Sequence, residues 1–164
     1  MTLPGTPRQH FLAAAALSLG VVGAALFTQH GLGMLPCPWC VLQRLVFVVI
    51  GVMALLGAAL PVGRRGRGSR RVVAGAMLLG AAAGVAAALW QHFVAASSTS
   101  CKLTLADRII SATGLDALLP SVFGVWATCA DAVVPLLGLP YEAWSLAAFV
   151  LLAAMALRLL RSRG

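Results

Sequence analysis

Four long apolar stretches, separated by polar connections, make up most of the chain. They lie near residues 10–28, 41–60, 72–95 and 143–160. As a helix, each stretch is long enough to cross about 30 Å of hydrocarbon at about 1.5 Å per residue. Within lipid, only helices and closed barrels satisfy their own backbone hydrogen bonds, and these stretches are too long for strands. The pattern therefore predicts an all-α membrane protein, a bundle of four transmembrane helices in a single domain over residues 1–164.

The composition supports a membrane protein and argues against a nucleic-acid-binding one. Hydrophobic residues make up 61% of the chain and charged residues 10%, and the mean hydropathy is +0.97, outside the usual range of soluble domains. The formal charge of +8 comes from arginine clusters at the ends of apolar stretches, not from a basic face interleaved with aromatic residues. We therefore expect lipid, and no nucleic acid, as a partner.

The arginines also predict how the chain crosses the membrane. One precedes the first apolar stretch, five lie in the connection after the second, and three follow the last: Arg8, Arg64, Arg65, Arg67, Arg70, Arg71, Arg158, Arg161 and Arg163. By the positive-inside rule, both termini and the inner loop 61–71 are cytoplasmic. The outer loops 29–40 and 96–142 then lie on the far side of the membrane.

The second outer loop is long enough to contain structure of its own. It begins with the polar sequence SSTS and continues through LTLADRII and LDALLPSVFGVW. The apolar positions in these segments predict short amphipathic helices that lie on the membrane surface.

The third apolar stretch is dominated by small residues, among them Gly80 and Gly84, four positions apart. Such a pair lets a neighbouring helix approach closely. An alanine-rich composition without a packing role explains the same pattern equally well from the sequence.

The chemistry of the chain lies in its cysteines, all of which fall in the outer loops. Cys37 and Cys40 form a Cys-Pro-Trp-Cys motif directly before the second apolar stretch, and Cys101 and Cys129 lie in the second outer loop. Proline is tolerated in the first turn of a helix, so the second helix can begin inside the motif. The N-terminus of a helix and a nearby arginine both stabilise a thiolate. Arg44 provides that arginine, one turn after Cys40 on the same helical face.

Three interpretations of the four cysteines compete. Small buried hydrophobic residues are the simplest, but two of the cysteines are closely spaced in a loop and the others lie in a polar segment. A zinc site would favour a second closely spaced pair, and the later two cysteines are far apart, so we predict no metal site. The third interpretation, which we favour, is thiol–disulfide exchange. A dithiol beside lipid then needs an electron acceptor that is itself soluble in lipid.

These residues resemble a known family. The segment FTQHGLGMLPCPWCVLQRLVFVVIG, a third stretch that ends in WQHF, and a loop that runs from Cys101 to Cys129 and on through LGLPYEAW are similar to the DsbB family of bacterial membrane disulfide oxidases. The resemblance implies four spans in the bacterial inner membrane, with both termini cytoplasmic and the cysteine loops periplasmic. It also implies reoxidation of a periplasmic thioredoxin-fold oxidase of the DsbA type, with ubiquinone or menaquinone as the electron acceptor.

The resemblance further implies a role for each candidate residue. Cys101 would form a mixed disulfide with the partner, Cys129 would exchange with Cys37, and Cys40 would be the thiolate that faces the quinone. Arg44 would hold the quinone and stabilise that thiolate; an arginine that only extends toward the membrane interface is the weaker alternative.

His92 resembles a histidine near the quinone at the end of the third span of the family. An interfacial histidine satisfied by water explains it equally well. The preceding position, Gln91, often carries a carboxylate in the family.

Four cysteines allow three pairings, of which we predict Cys37–Cys40 and Cys101–Cys129. Two other functions remain as alternatives. A vitamin K epoxide reductase-like enzyme also couples thiols to a quinone, but its active Cys-x-x-Cys lies late in the chain. A structural membrane protein with inert disulfides in its outer loops would contain the same cysteines without the exchange.

Overall fold

A computed structural model describes residues 6–61, 63–95, 104–128, 131 and 135–162 of the chain. Within them, the elements are seven helices and one short antiparallel hairpin: α1 (Pro7–Gly31), α2 (Pro38–Ala59), α3 (Arg64–Phe93), α4 (Leu105–Thr113), α5 (Leu115–Leu118), α6 (Pro120–Phe123), β1 (Pro135–Leu136), β2 (Leu139–Pro140) and α7 (Tyr141–Arg161). Four of these helices, α1, α2, α3 and α7, are long and apolar enough to cross a membrane. The predicted all-α fold with four spans is therefore confirmed.

The third long helix begins earlier than its apolar stretch. Most of the connection 61–71, which the sequence predicts to be a loop, is helical from Arg64 onward. Arg70 is buried, and its guanidinium donates hydrogen bonds to the carbonyl oxygens of Gly66 and Gly63, each at 3.4 Å. Arginine has a high helix propensity, and these bonds connect the first turns of α3 to the residue before the helix. We call this end of the bundle the arginine end, and the end where α2 begins the cysteine end.

The short helices lie over the beginning of α2. Thr104 and Asp107 form a capping box that starts α4, and Gly114, with a φ of 67°, ends it in the left-handed region that favours glycine. Ile110 of α4 and Phe123 of α6 are buried against Val41 of α2. The segment 104–123 therefore covers the cysteine end of α2. The predicted short helices are confirmed, and their placement on the membrane surface stays a prediction.

The centre of the bundle is formed by aromatic rings among small residues. Phe47 of α2 stacks on Phe149 of α7, with ring centroids 3.9 Å apart and an angle of 4° between the rings. Helix α3 packs closely along α7 and α2, and α1 packs along α2, but the contact between α1 and α7 is less extensive. A cavity therefore remains between α1, α2 and α7.

The two glycines of the third apolar stretch lie against different helices. A Cβ atom at Gly84 would lie 2.3 to 2.4 Å from three ring atoms of Phe149, and one at Gly80 would lie 3.2 Å from the side chain of Ile50. Distances under 3.0 Å do not occur for real Cβ atoms unless something shifts. Gly84 is therefore a position of close approach between α3 and α7.

Replacement of Gly84 by alanine is expected to lower the stability of the bundle. The added methyl group must displace the Phe149 ring, which is itself stacked on Phe47, and overpacking of this kind costs about 1–3 kcal/mol. Gly75→Ala, in the same helix, is the matched control because its Cβ would meet nothing within 4 Å. Thermal unfolding of both variants in detergent measures the effect. Equal midpoints for the two variants would contradict the packing argument.

Candidate active site

The Cys-Pro-Trp-Cys motif forms the first turn of α2. Cys37 is the N-cap residue, Pro38 takes the first helical position, and the backbone N–H of Cys40 donates a hydrogen bond to the Cys37 sulfur at 3.3 Å. The two sulfur atoms lie 2.7 Å apart, close enough that little movement separates the dithiol from a bond of about 2.05 Å. Both sulfurs lie at a helix N-terminus, where the peptide dipoles stabilise negative charge.

The two cysteines face different surroundings. Cys37 is buried in a cluster with Trp39, Ala95 and Ala106. Two of these, Ala95 and Ala106, flank the part of the chain that contains Cys101. Cys40 is partly exposed and lines a cavity, whereas Cys37 is not among the residues that line it. The dithiol therefore has one sulfur on the side of the outer loop and the other on the side of the cavity.

The backbone beside Cys37 also holds the chain that leads to Cys129. The carbonyl oxygen of Pro36 accepts hydrogen bonds from the backbone N–H groups of Trp126, at 3.1 Å, and Ala127, at 3.3 Å. Cys101 and Cys129 themselves lie outside the described residues, so their predicted disulfide and exchange roles stay predictions. Ala95 and Ala106, on either side of Cys101 in sequence, share a buried cluster with Cys37, and Trp126 and Ala127, shortly before Cys129, bond to the residue before Cys37.

Two glutamines form a chain of hydrogen bonds to the Cys40 sulfur. The side-chain amide of Gln91 donates a hydrogen bond to the Cys40 sulfur at 3.3 Å. Gln43, one turn after Cys40 on α2, donates from its own amide to the Gln91 side-chain oxygen at 2.7 Å. Both glutamines are buried. Because Gln43 occupies the oxygen of Gln91, the Gln91 amide presents its N–H group to the sulfur, which stabilises a thiolate there.

Arg44 lies deeper on the same face of α2 and connects three helices. Its Nη1 group donates hydrogen bonds to the side-chain oxygen of Gln29 in α1, at 2.8 Å, and to the carbonyl oxygen of Val122 in α6. Gln29 in turn donates to the carbonyl oxygen of Ser121 at 3.2 Å. Arg44 is buried, and its Nε group has no hydrogen-bond partner in the described part of the chain. A buried cation with an unused donor is a site for an acceptor group.

These side chains meet in a cavity of about 440 Å³ between α1, α2 and α7. Its walls are mostly aliphatic and aromatic, including Leu17, Val21 and Phe47. The polar side chains that line it lie mainly on α2 and at the beginning of α7: Thr28, Cys40, Gln43, Arg44, Gln91, Tyr141, Glu142 and Ser145. An apolar cavity with a few convergent polar groups is typical of a small-molecule site.

His92 lies beside this cavity, separated from it by a carboxylate. Its Nδ1 atom is 2.9 Å from Oε1 of Glu142, and the histidine side chain is 49% exposed whereas that of Glu142 is 5% exposed. Glu142 lines the cavity and His92 is not among the lining residues. The predicted contact between His92 and a quinone stays a prediction. In the structure, His92 contacts Glu142, and Glu142 lines the cavity.

The structure thus brings together Cys37, Cys40 and Arg44, as the sequence predicts, and adds residues that sequence reasoning missed. Gln43 could have been found, since it is a polar residue in an apolar span, on the face that carries Cys40 and Arg44. The pairing of Glu142 with His92 has no local signal, because the two residues belong to different spans.

Comparison with known proteins identifies the family of this chain. The family described as "Disulfide bond formation protein DsbB" matches residues 7–159. A disulfide bond formation protein B of Cupriavidus necator is 34% identical over 156 residues, 94% of this chain and 93% of the relative. A disulfide bond formation protein B 1 of Pseudomonas savastanoi pv. phaseolicola is 38% identical over 142 residues, 85% of this chain and 80% of the relative. One from Pseudomonas aeruginosa is 34% identical over 145 residues, 88% and 89% of the two chains.

These matches cover nearly the whole chain, including the Cys-Pro-Trp-Cys turn and the four long helices. They agree with what the residues themselves indicate, a closely spaced dithiol at the head of a membrane helix. The chain belongs to the DsbB family of membrane oxidoreductases of disulfide bond formation.

Proposed function

We propose that this protein reoxidises a periplasmic thioredoxin-fold oxidase of the DsbA type and passes the electrons to a membrane quinone, ubiquinone or menaquinone. One observation carries the proposal: Cys40 lines the same apolar cavity as the buried residue Arg44. An electron-donating sulfur and a buried cation are the two groups that reduction of a lipid-soluble acceptor needs.

The residues of the cavity fit a quinone head group. A volume of about 440 Å³ lies within the range of about 300–1,000 Å³ of small-molecule sites. The apolar walls suit the ring, and the unused Nε donor of Arg44 suits a carbonyl oxygen of the ring. When bound, a quinone would supply the acceptor of two electrons and two protons. Cys40, Arg44 and Gln91 would hold it.

The relay between the partner and the cavity uses the two sides of the dithiol. Cys101 would form a mixed disulfide with the partner and Cys129 would exchange with Cys37. The hydrogen bonds of Trp126 and Ala127 to Pro36, and the contact of Cys37 with the cluster that contains Ala95, support an approach of that loop to Cys37. Exchange between Cys37 and Cys40 would then carry oxidising equivalents between loop and cavity.

The charges support a placement in the bacterial inner membrane with both termini cytoplasmic. The arginine end carries the clusters of the positive-inside rule. All four acidic residues lie in the predicted outer loops: Asp107, Asp116, Asp131 and Glu142. The cysteine end would then lie on the periplasmic side, where disulfides persist.

Quinone reduction by the purified protein tests the proposal. The reduced DsbA-type partner and a soluble quinone are mixed with the protein, and quinone absorbance and partner thiols are followed together. We expect one quinone to be reduced for each dithiol oxidised, and no reduction without the partner. A folded protein that reduces neither quinone type would instead support the structural alternative, in which the disulfides are inert.

Replacement of Gln91 by leucine is expected to slow the reaction of Cys40 with an alkylating reagent. The change removes a donor to the sulfur, and a hydrogen bond to a charged group contributes about 1.5–3 kcal/mol, which lowers the population of the thiolate. The remaining thiolate is more nucleophilic, which offsets nearly half of this loss, so we expect a net decrease of about 4- to 16-fold. Alkylation of Cys40 is measured at fixed pH on the reduced protein by peptide mass spectrometry. Gln9→Leu, at the arginine end, is the control. An unchanged rate in Gln91→Leu would mean that Gln91 does not stabilise the thiolate.

A further inference from the structure

The two oxygen atoms of Glu142 have different surroundings. Oε1 lies 2.9 Å from Nδ1 of His92, which is half exposed to solvent. Oε2 is buried and has no hydrogen-bond partner among the residues that the structure describes. The side chain as a whole is only 5% exposed and lines the cavity. A buried carboxylate oxygen without a partner calls for a physical explanation, and one explanation is a group that occupies the cavity.

The proposed function requires protons at the same place. Oxidation of a dithiol by a quinone breaks two S–H bonds, forms one S–S bond and moves two electrons to the quinone, which gains two O–H bonds. The protons leave sulfur atoms at the cysteine end, and an equal number must reach oxygen atoms inside the cavity. The mostly apolar walls of the cavity offer few groups that can carry them.

We propose, resting on that function, that Glu142 transfers protons to the quinone oxygen in the cavity, and that His92 connects Glu142 to the aqueous face, from which each proton is replaced. The protonated carboxyl group releases its proton at Oε2 to the quinone oxygen, and the resulting carboxylate takes the replacement at Oε1, on the side of the histidine. Glu142 is then a catalytic residue, whereas His92 acts through it and is a positioning residue.

Among the acidic residues of the chain, Glu142 is the one that lines the cavity. It contacts His92 of α3, and the titratable residues of α2 that line the same cavity are Cys40 and Arg44. Tyr141 precedes it on α7, and the Tyr141 hydroxyl is 3.2 Å from the hydroxyl of Thr28 in α1. The other three acidic residues, Asp107, Asp116 and Asp131, do not line the cavity. The competing explanation is a contact that only holds α3 against α7.

Three variants separate proton transfer from a structural role. Glu142→Gln keeps the shape of the side chain and removes its acidic proton, His92→Gln removes the connection to solvent, and Glu142→Ala leaves room for a small acid. Asp116→Asn, away from the cavity, is the matched exchange of a carboxylate for an amide. Each variant is measured for kcat of quinone reduction, for quinone affinity by tryptophan fluorescence, and for single-turnover oxidation of the partner by the quinone-free protein.

We expect Glu142→Gln to lower kcat about 100-fold, the lower end of what general acid–base catalysis contributes, while quinone affinity and single-turnover exchange stay within about twofold of wild type. His92→Gln should lower kcat less, since water can reach Glu142 in its absence. Formate should restore part of kcat to Glu142→Ala and have no effect on Asp116→Asn.

Two results would overturn the inference alone. Wild-type kcat in Glu142→Gln would exclude a proton-transfer role, and a loss of quinone affinity as large as the loss of kcat, without rescue of Glu142→Ala by formate, would make Glu142 a binding or structural residue. Absence of turnover in the wild-type protein would instead overturn the proposed function, and the inference with it.

Discussion

Replacement of Cys40 by serine is expected to abolish quinone reduction, by at least about 10³-fold, in a protein that still folds. Serine has nearly the size of cysteine, so the helix start and the hydrogen bonds around it can persist, but a hydroxyl cannot donate electrons or form a disulfide with Cys37. Because Cys40 lines the cavity and Cys37 does not, no other described thiol is placed to take its role. Turnover with a reduced partner and a soluble quinone measures the loss.

Cys37→Ser is the matched control for Cys40→Ser. Both variants should lose turnover, but they should stop at different points of the relay. With Cys40 replaced, Cys37 can still form a disulfide with the outer loop or the partner, and this species should accumulate because nothing resolves it. With Cys37 replaced, it should not form. Non-reducing electrophoresis distinguishes the two, and retained turnover in Cys40→Ser would remove Cys40 from the electron path.

The parts of the site that could be predicted from the sequence are the local ones. Cys37, Cys40 and Arg44 lie within three turns of one helix, so their common placement follows from helical geometry once Pro38 marks the helix start. The apolar stretches predict the spans for the same reason, because hydrophobic length is a local property.

The parts that could not be predicted depend on contacts between spans. Gln91 reaches Cys40 only because the end of α3 packs beside the start of α2, and Glu142 meets His92 only because α7 begins beside the same end of α3. The helical form of the arginine-rich connection was also missed. The glycines of this connection predict a loop. The buried Arg70 stabilises the start of the helix through hydrogen bonds to the carbonyl oxygens of Gly63 and Gly66, which the composition does not reveal.

Replacement of Arg44 by methionine is expected to raise the KM for quinone about 10- to 100-fold, because a hydrogen bond from a charged donor to the ring is worth about 1.5–3 kcal/mol. Methionine keeps much of the length and the apolar stem, so the walls of the cavity are preserved. Arg44→Lys keeps the charge but loses the planar guanidinium, whose Nη1 donates to both the Gln29 side chain and the Val122 carbonyl oxygen. It should therefore give an intermediate KM. Arg158→Met, an exposed arginine at the arginine end, is the control.

The same variants decide between a ligand-binding and a purely structural arginine. Arg44 holds α1, α2 and α6 together, so its loss leaves Gln29 and the Val122 carbonyl without their donor and should also lower the unfolding midpoint. If stability alone explained the effect, kcat and KM of the folded fraction would match wild type, and added quinone would raise the unfolding midpoint of wild type and Arg44→Met equally. If Arg44 binds quinone, the stabilisation by quinone should be smaller in Arg44→Met, and the difference should be largest at quinone concentrations well above Kd. Thermal unfolding with and without quinone thus separates the structural role from the ligand-binding role. The hydrogen bonds of Arg44 between helices are present without quinone, whereas a bond to the ligand is not.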